Sequence, residues 1–218
     1  MTTEATFCPI PSLPSVLPSV DTLAHRARQW DGALLDVRPI RPDDGERLRR
    51  FHERLSSASV LLRYFHVVPS LPEAMVAHFT HVHYVNQMVL VATVPDATAT
   101  AVWEQEREQE REMIGMVNYD RLSADAAEVA FVVADAWQGR GVASMLLHDL
   151  AAYARECGFR HFLAITLRRN LRMLNLLRRC GFPCAVHDGG DEEIEVWLDI
   201  TEAPLCRLAP VPAERNST

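Results

Sequence analysis

A glycine-containing turn between an apolar run and a long amphipathic segment has the residue types and spacing for ligand chemistry. Residues 127–133 (AEVAFVV) are typical of a buried strand, and residues 141–157 place apolar side chains on one face of a helix. Between them, Gly139 and Gly141 would let a ligand approach the backbone without obstruction by a Cβ atom. The free N–H groups and the positive dipole end of a helix start favour a phosphate. The spacing therefore predicts an anion site here, to which Arg140 adds a positive charge.

Charge is unevenly distributed along the 218 residues. All 22 basic residues are arginine, 29 residues are acidic, and the formal net charge is −7. Residues 137–182 nevertheless contain eight arginines against two acidic residues, Asp149 and Glu156. The net negative charge does not favour nucleic acid as a partner, whereas the local positive segment indicates an anionic ligand that could carry phosphates.

Strand and helix patterns alternate along most of the chain and would position this turn. Apolar or β-branched runs predict strands, and 3.6-residue periodicity with capping residues predicts helices. The predicted strands are 33–40, 87–94, 114–119, 127–133, 161–167, 184–187 and 193–200, and the predicted helices begin near 41, 56, 71, 141 and 170. The acidic stretch 96–112 is expected to be a solvated loop or a helical excursion without a chemical role.

The domain organisation follows from composition. Residues 1–32 are interpreted as a proline-rich N-terminal arm, residues 33–201 as one domain, and residues 202–218 as a polar C-terminal tail. No apolar run has the ~20 residues that a membrane helix needs, and we identify no secretory signal. Five thinly spread cysteines indicate a reducing compartment, so we expect a cytoplasmic protein with no membrane association.

Histidines and cysteines are the other residues whose types could do chemistry. His78, His81 and His83 are close in sequence, but no carboxylate or cysteine cluster accompanies them, so we expect no metal. Cys180 and Cys184 flank a predicted helix end and do not match a redox motif, and no histidine partner for a covalent route is identified.

The turn resembles the pyrophosphate-binding loop of the GNAT acetyltransferase superfamily. Its sequence Gln138-Gly139-Arg140-Gly141-Val142-Ala143 matches the superfamily pattern Q/R-x-x-G-x-G/A. A second stretch, beginning Asn170-Leu171-Arg172-Met173 and ending Gly181-Phe182, is similar to its second CoA-binding motif. The resemblance covers about residues 35–200.

This resemblance implies an α/β fold with a mixed, mostly antiparallel sheet of six to seven strands, flanked by helices and splayed to admit acetyl-CoA as co-substrate. The backbone of the strand before the loop would pair with pantetheine, the loop and first helical turn would hold the pyrophosphate, and Asn170 would contact the pantetheine arm. The implied cofactor-binding residues are Phe131, Val132, Val133, Gln138, Gly139, Arg140, Gly141, Val142, Ala143, Ser144, Asn170 and Met173.

A closer resemblance is to bacterial protein lysine acetyltransferases that act on AMP-forming acyl-CoA synthetases. Their S-x-x-S-x-x-x-R-[FY]-F stretch is similar to residues 56–65, and their A-E-x-A-x-x-V strand leads into W-Q-G-x-G as it does here. The resemblance implies a protein substrate with an acceptor lysine, such as an acyl-CoA synthetase. Two alternatives remain open: acetylation of a small-molecule amine, and a non-catalytic acyl-CoA-binding module.

Lysine acetylation requires a base, and Glu128 is the candidate. A lysine with a pKa near 10.4 is about 0.04% neutral at pH 7, so selecting the nucleophilic form costs about 4.6 kcal/mol. A carboxylate near the thioester can take the proton directly or through water. Glu128 precedes Phe131 by three residues on the strand expected to flank the thioester, and it aligns with the catalytic glutamate of the resembling proteins.

The sequence departs from many GNAT enzymes at the residue that would protonate the departing thiolate. The tyrosine expected seven residues after Asn170 is replaced by Leu177. Either the thiolate leaves without a dedicated acid, or a water molecule protonates it. Tyr64, Tyr119 and Tyr153 are further candidates, none of which the sequence favours.

Overall fold

One eight-stranded sheet with helices on both faces organises the parts of the chain that the computed structural model describes, which are residues 25–28, 34–95, 111–190 and 192–203. The strands are β1 (His25–Arg28), β2 (Leu34–Pro39), β3 (Gln87–Pro95), β4 (Arg111–Arg121), β5 (Ala126–Val133), β6 (His161–Leu167), β7 (Cys184–Asp188) and β8 (Glu193–Asp199). The helices are α1 (Gly45–Glu53), α2 (Ser57–Tyr64), α3 (Glu73–Thr80), α4 (Val142–Glu156) and α5 (Leu171–Arg179). Short 3₁₀ turns occupy Pro42–Asp44 and Asp135–Trp137.

The strand order is β1-β2-β3-β4-β5-β6-β8-β7, and every neighbouring pair is antiparallel except β5 with β6. This mixed, mostly antiparallel sheet confirms the expected fold class. It has one strand more than the six to seven expected, because residues 25–28 pair with β2 at the sheet edge. That strand lies within the predicted N-terminal arm, so the division into arm, domain and tail stays a prediction.

Two apolar cores lie on opposite faces of the sheet. Since side chains alternate along a strand, neighbouring residues of β4 and β5 contribute to different cores. Tyr119 and Phe131 belong to the core beneath α4 and α5, whereas Met116 and Val132 belong to the core beneath α1, α2 and α3. Both sides of the central strands are therefore covered by helices.

The predicted secondary structure agrees with the described elements. Ser56 caps α2 by accepting a hydrogen bond from the Ser59 N–H at 3.2 Å, as serine commonly does at a helix start. Asn170 caps α5 in the same way through the Met173 N–H at 3.1 Å. The predicted acidic stretch falls largely on residues 96–110, which lie outside the described residues.

The pairing of β5 with β6 is short and ends inside the sheet. Its register joins Ala126 to His161, Ala127 to Phe162 and Glu128 to Leu163, and it stops there, although both strands continue. Beyond Glu128 the strands diverge, and the edge of β5 that faces β6 is available to another extended group. The sheet is therefore splayed at its centre, as expected.

Candidate active site

A cleft opens where β5 and β6 diverge. It is lined by residues 129–131 of β5, residues 164–166 of β6, Leu62 and Arg63 of α2, and Met173 of α5. Phe131 and Met173, two of the predicted cofactor-binding residues, therefore lie in one cleft. Val132 and Val133 continue β5 towards the glycine loop.

The glycine loop lies at the end of β5 and leads directly into α4. Gly139 has φ 77° and Gly141 has φ 80°, a backbone region that residues with a Cβ atom rarely adopt. Gly141 is the N-cap of α4, so Val142, Ala143 and Ser144 form the first turn of the helix. Their backbone N–H groups have no acceptor within the helix, so they are free to serve the anion site that the sequence predicts, which stays a prediction.

A close approach between β4 and α4 positions this helix start. A Cβ atom placed on Gly115 would lie 3.2 Å from Cγ1 of Val142 and 3.3 Å from Cδ1 of Leu146, which is tighter than ordinary van der Waals contact. Gly115 therefore lets the first turn of α4 pack against the sheet. Since Val142 is buried in that contact, its backbone rather than its side chain can serve a ligand.

Hydrogen bonds from the start of α2 hold the segment that precedes the loop. Ser56 donates from its N–H and from its hydroxyl to the Asp135 carboxylate at 2.9 and 2.7 Å, and the Ser59 hydroxyl donates to the same carboxylate at 2.9 Å. Burial acts to raise the pKa of Asp135, but these hydrogen bonds hold it below its usual range. The two serines of the S-x-x-S stretch thus join α2 to the turn after β5.

Gln138 extends this network towards α5. Its amide nitrogen donates to the Ser59 hydroxyl at 3.0 Å and to the Val133 carbonyl at 3.1 Å, and its carbonyl accepts from Arg172 Nη1 at 2.6 Å. The Gln138 side chain is thus engaged in ordering the loop. Arg140 stacks over the Trp137 ring at 4.9 Å from the ring centroid.

Asn170 is the N-cap of α5, and its side-chain oxygen is engaged in capping that helix. The side chain is 7% exposed. Its amide nitrogen is the donor left for a contact with a pantetheine arm, and that role stays a prediction.

A polar cluster follows the other face of β4 and β5, beneath α2 and α3. Glu128, the last β5 residue paired with β6, lies directly opposite Asp120 of β4. Asn118 donates to Asp120 at 2.9 Å, and His78 Nε2 lies 3.5 Å from Asp120. Two carboxylates therefore share one surface at the point where the cleft begins.

Arg63 brings a guanidinium to this cluster from α2. Its Nη2 donates to the Asn118 side-chain oxygen at 2.8 Å, and its guanidinium carbon lies 5.1 Å from the Tyr64 ring centroid and 5.8 Å from the Phe79 ring centroid. Burial lowers the pKa of Arg63, whereas the nearby charges of Glu128 and Asp120 act in the opposite direction.

Two polar atoms that line or adjoin the cleft are buried without a hydrogen-bond partner among the described residues. They are Nε of Arg63 and Oγ1 of Thr166. A buried donor left unpaired costs about 1–3 kcal/mol, so such atoms are uncommon in folded proteins.

None of the residues considered for protonating the thiolate is among those that line the cleft. Leu177 is fully buried beneath the sheet with α5. Tyr119 donates to the Val85 carbonyl at 3.1 Å on the opposite face from Glu128, and burial raises the pKa of both Tyr119 and Tyr153. The Tyr64 ring packs against His52 with the ring centroids 5.8 Å apart.

The histidines are separated by the fold. His78 contacts Asp120 and Gln87, whereas His81 interacts with the end of α3 through Thr80 and Ala77. Across residues 25–28, 34–95, 111–190 and 192–203, no group of three or more histidine, cysteine, aspartate or glutamate side chains is arranged to hold a metal ion. No described helix is long and apolar enough to cross a membrane.

Sequence reasoning missed the roles of three residues. Ser59 and Asp135 connect α2 to the glycine loop, and Arg63 joins the polar cluster. Ser59 and Arg63 lie in the S-x-x-S-x-x-x-R stretch, so the sequence marked both residues as part of a motif. Their partners lie 55 to 79 positions away along the chain, and the sequence does not show such contacts.

Comparisons with known proteins agree with this geometry. The protein-family model of the acetyltransferase (GNAT) domain matches residues 35–183 of this chain. The crystal structure of the GNAT domain of S. lividans PAT is 36% identical in sequence and superposes with a TM-score of 0.70, covering 82% of this chain and 97% of that chain.

Curated relatives include an acetyltransferase of Pseudomonas aeruginosa, 28% identical over 70% of this chain and 76% of its own length. The acetyltransferase Pat of Mycolicibacterium smegmatis is 30% identical over 69% of this chain and 41% of its own length, so the chain spans less than half of that relative. An acetyltransferase structure from Salmonella typhimurium, solved with its cofactor acetyl-CoA, shares the fold at 17% identity, with a TM-score of 0.55 over 82% of this chain and 99% of that chain.

Proposed function

Because the chain belongs to the GNAT acetyltransferase family, we propose that it transfers the acetyl group of acetyl-CoA to a lysine of another protein, with Glu128 as general base. The observation that carries this proposal is the position of Glu128. It is the last residue of β5 before the splay, next to the residues that line the cleft.

The donor site is supported by the loop and the cleft together. The β5 edge beyond Glu128 can pair with the pantetheine arm, and the first turn of α4 can hold the pyrophosphate through its N–H groups. Acetyl-CoA is the cofactor of the Salmonella structure that shares this fold. The residues proposed to bind it are Phe131, Val132, Val133, Gln138, Gly139, Arg140, Gly141, Val142, Ala143, Ser144, Asn170 and Met173.

The proposed chemistry is direct transfer in a ternary complex. Glu128 takes a proton from the acceptor ammonium, directly or through water, and the neutral nitrogen attacks the thioester carbon. The C–N bond forms as the C–S bond breaks, and the electron pair leaves with sulfur as the CoA thiolate. The second amine proton then reaches the thiolate through water, since the expected tyrosine is replaced by Leu177.

A protein lysine as acceptor is supported by the relatives and by the motif that joins α2 to the loop. Two of the similar proteins are named Pat, and residues 56–65 resemble the corresponding stretch of protein lysine acetyltransferases. Within that group the resemblance favours an AMP-forming acyl-CoA synthetase as the substrate.

The test is acetyl transfer to a purified AMP-forming acetyl-CoA synthetase, followed by intact mass and by synthetase activity. We expect a gain of one acetyl group with loss of synthetase activity. Since the enzyme contains no lysine, any acetyl-lysine in the digest belongs to the synthetase. Glu128→Gln should lower kcat by about 10²–10⁴-fold, because a positioned base contributes about that factor.

Asp120→Asn is the matched control, because it removes the carboxylate opposite Glu128 without changing the residue next to the cleft. We expect less than about a tenfold loss of kcat. A large loss in Asp120→Asn with little effect of Glu128→Gln would transfer the base assignment to Asp120. Turnover with small amines but not with the synthetase would contradict the protein acceptor, and tight acetyl-CoA binding without any turnover would indicate a binding module.

A further inference from the structure

The side chain of Arg63 lines the cleft with an unused hydrogen-bond donor. Its Nη2 is engaged by Asn118, and its guanidinium is flanked by the rings of Tyr64 and Phe79. Its Nε is buried and has no hydrogen-bond partner within the described parts of the chain. Because Asn118 and the two rings restrain the guanidinium, the position of the unused Nε–H is fixed before any group enters the cleft.

Thr166 contributes a second such atom from the opposite wall. It is 1% exposed, it lines the same cleft from β6, and its hydroxyl likewise lacks a partner among the described residues. The two walls of the cleft therefore each contain a buried polar atom that lacks a partner among the described residues. Buried polar atoms are usually paired, so two unpaired ones in the residues of one cleft favour a ligand that carries polar groups.

The chemistry of the guanidinium limits what Arg63 can receive. Arginine has donors and no acceptor, so its partner must carry an acceptor. The acceptor amine does not qualify, because an ammonium has no lone pair and the neutral amine needs its lone pair for attack. The phosphates are expected at the start of α4, beyond the far end of β5 from Glu128. The acceptors that remain are the carbonyls of the pantetheine arm and of the thioester, and the thioester carbonyl is the one expected beside Glu128, where the β5–β6 pairing ends.

We propose that Arg63 Nε–H binds the acetyl carbonyl oxygen of acetyl-CoA and stabilises the charge that this oxygen gains during transfer, while Thr166 binds the pantetheine arm. The inference rests on the proposed function, because acetyl-CoA is the acetyl donor in that proposal. When the amine lone pair forms the C–N bond, the carbonyl π electrons move to oxygen, where the guanidinium compensates the negative charge. They return as the C–S bond breaks, so the interaction is strongest between the two steps.

The test compares binding of acetyl-CoA with S-ethyl-CoA, a thioether that has no carbonyl oxygen, by isothermal titration calorimetry. The wild-type protein should bind acetyl-CoA at least about tenfold more tightly, as expected for a hydrogen bond from a charged donor. Arg63→Lys should bind both ligands equally, with S-ethyl-CoA affinity within about twofold of wild type. Its kcat should fall by about 10²–10³-fold, the usual loss for one donor to a developing oxyanion.

Thr166→Val is the matched comparison, because it removes a hydroxyl and keeps the shape of the side chain. It should raise the Kd of both ligands by the same factor, so that the ratio of the two Kd values stays unchanged. Equal binding of the two ligands by the wild-type protein, or a preference that survives in Arg63→Lys, would overturn the proposal. Equal binding by the wild-type protein overturns the proposal even if Arg63→Lys does not fold. Binding of neither ligand would instead contradict the proposed function.

Discussion

Two arginines on the same face of the sheet, Arg38 and Arg63, differ in their hydrogen-bond partners. Arg38 of β2 is buried, and its two terminal nitrogens bind the two oxygens of Asp44 at 2.6 and 2.8 Å. Its Nη1 also donates to the Pro39 carbonyl at 3.0 Å. Arg63 of α2 instead donates to the neutral amide of Asn118, and its Nε has no partner in the described parts of the chain.

The difference is between an arginine whose partners support the fold and one that we propose binds a ligand. The Asp44 carboxylate also accepts from the Arg41 N–H at 2.8 Å and pairs with Arg47, so this cluster joins β2 to the start of α1. A bidentate pair with all its neighbours satisfied is complete without any ligand. The cluster around Arg63 is incomplete, which is the arrangement expected where a substrate supplies the missing partner.

The largest effect is expected from Asp44→Asn, which leaves the Arg38 charge buried without its anion. Removing one member of a buried ion pair typically costs about 3–5 kcal/mol of unfolding free energy. Urea denaturation measures the loss, and Asp43→Asn, in the same turn but exposed, should change the free energy by less than about 0.5 kcal/mol. The comparison between the two arginines fails if Arg63→Lys destabilises the protein as much as Asp44→Asn.

The Asp44 carboxylate should also make the free energy of unfolding depend on pH. Burial acts to raise the pKa of Asp44, but the hydrogen bond and charge of Arg38, with the Arg41 N–H and Arg47, hold it below its usual range. A carboxyl with a lowered folded-state pKa contributes stability above its unfolded pKa of about 3.9 and loses it as pH falls further. The free-energy difference between wild type and Asp44→Asn should therefore be constant from pH 7 to 5 and shrink below about pH 4. A difference that stays constant down to pH 3 would contradict the pairing.

A smaller effect is expected where α2 holds the glycine loop. Ser59→Ala removes the hydroxyl that joins Asp135 to Gln138, so the loop should be less ordered before the ligand binds. One hydrogen bond is worth about 1 kcal/mol, which corresponds to about a fivefold weaker Kd for acetyl-CoA. Ser57→Ala, in the same helix but exposed, is the control and should leave Kd unchanged. An unchanged Kd in Ser59→Ala would mean that the loop is ordered without this contact.

The smallest effect concerns the face of the sheet opposite Glu128. Tyr119→Phe removes the hydroxyl that donates to the Val85 carbonyl and should cost about 1 kcal/mol of stability. The pH dependence of kcat should not change, because this hydroxyl lies in the core beneath α4 and burial raises its pKa. Loss of the alkaline limb of that profile in Tyr119→Phe would make Tyr119 the acid that serves the thiolate.

Much of the fold was predictable because its signals are local. The apolar run of residues 127–133, the glycines at 139 and 141 and the cap at Asn170 each act within a few neighbouring residues. Strand β1 was missed because His25–Arg28 lacks an apolar pattern, and its pairing with β2 is decided by the partner strand rather than by its own residues.

The candidate site was predictable where a motif marks it and unpredictable where contacts cross the chain. Gly141 and Glu128 could be named from the sequence, but the end of the β5–β6 pairing at Glu128 depends on the register of two strands more than 30 residues apart. Ser59 and Arg63 were visible as motif residues without any indication of what they contact.

By itself, the sequence determined most of the strands and helices, where the glycine turn lies and which family it resembles, because periodicity, caps and glycines act through neighbouring residues. Tertiary structure decided where the sheet splays, which polar atoms are satisfied and which remain open to a ligand. The reason is physical: a hydrogen bond is complete or incomplete according to every group brought within about 3 Å, and those groups come from distant parts of the chain. Arg38 and Arg63 are the same residue type in sequence, and only their partners distinguish them.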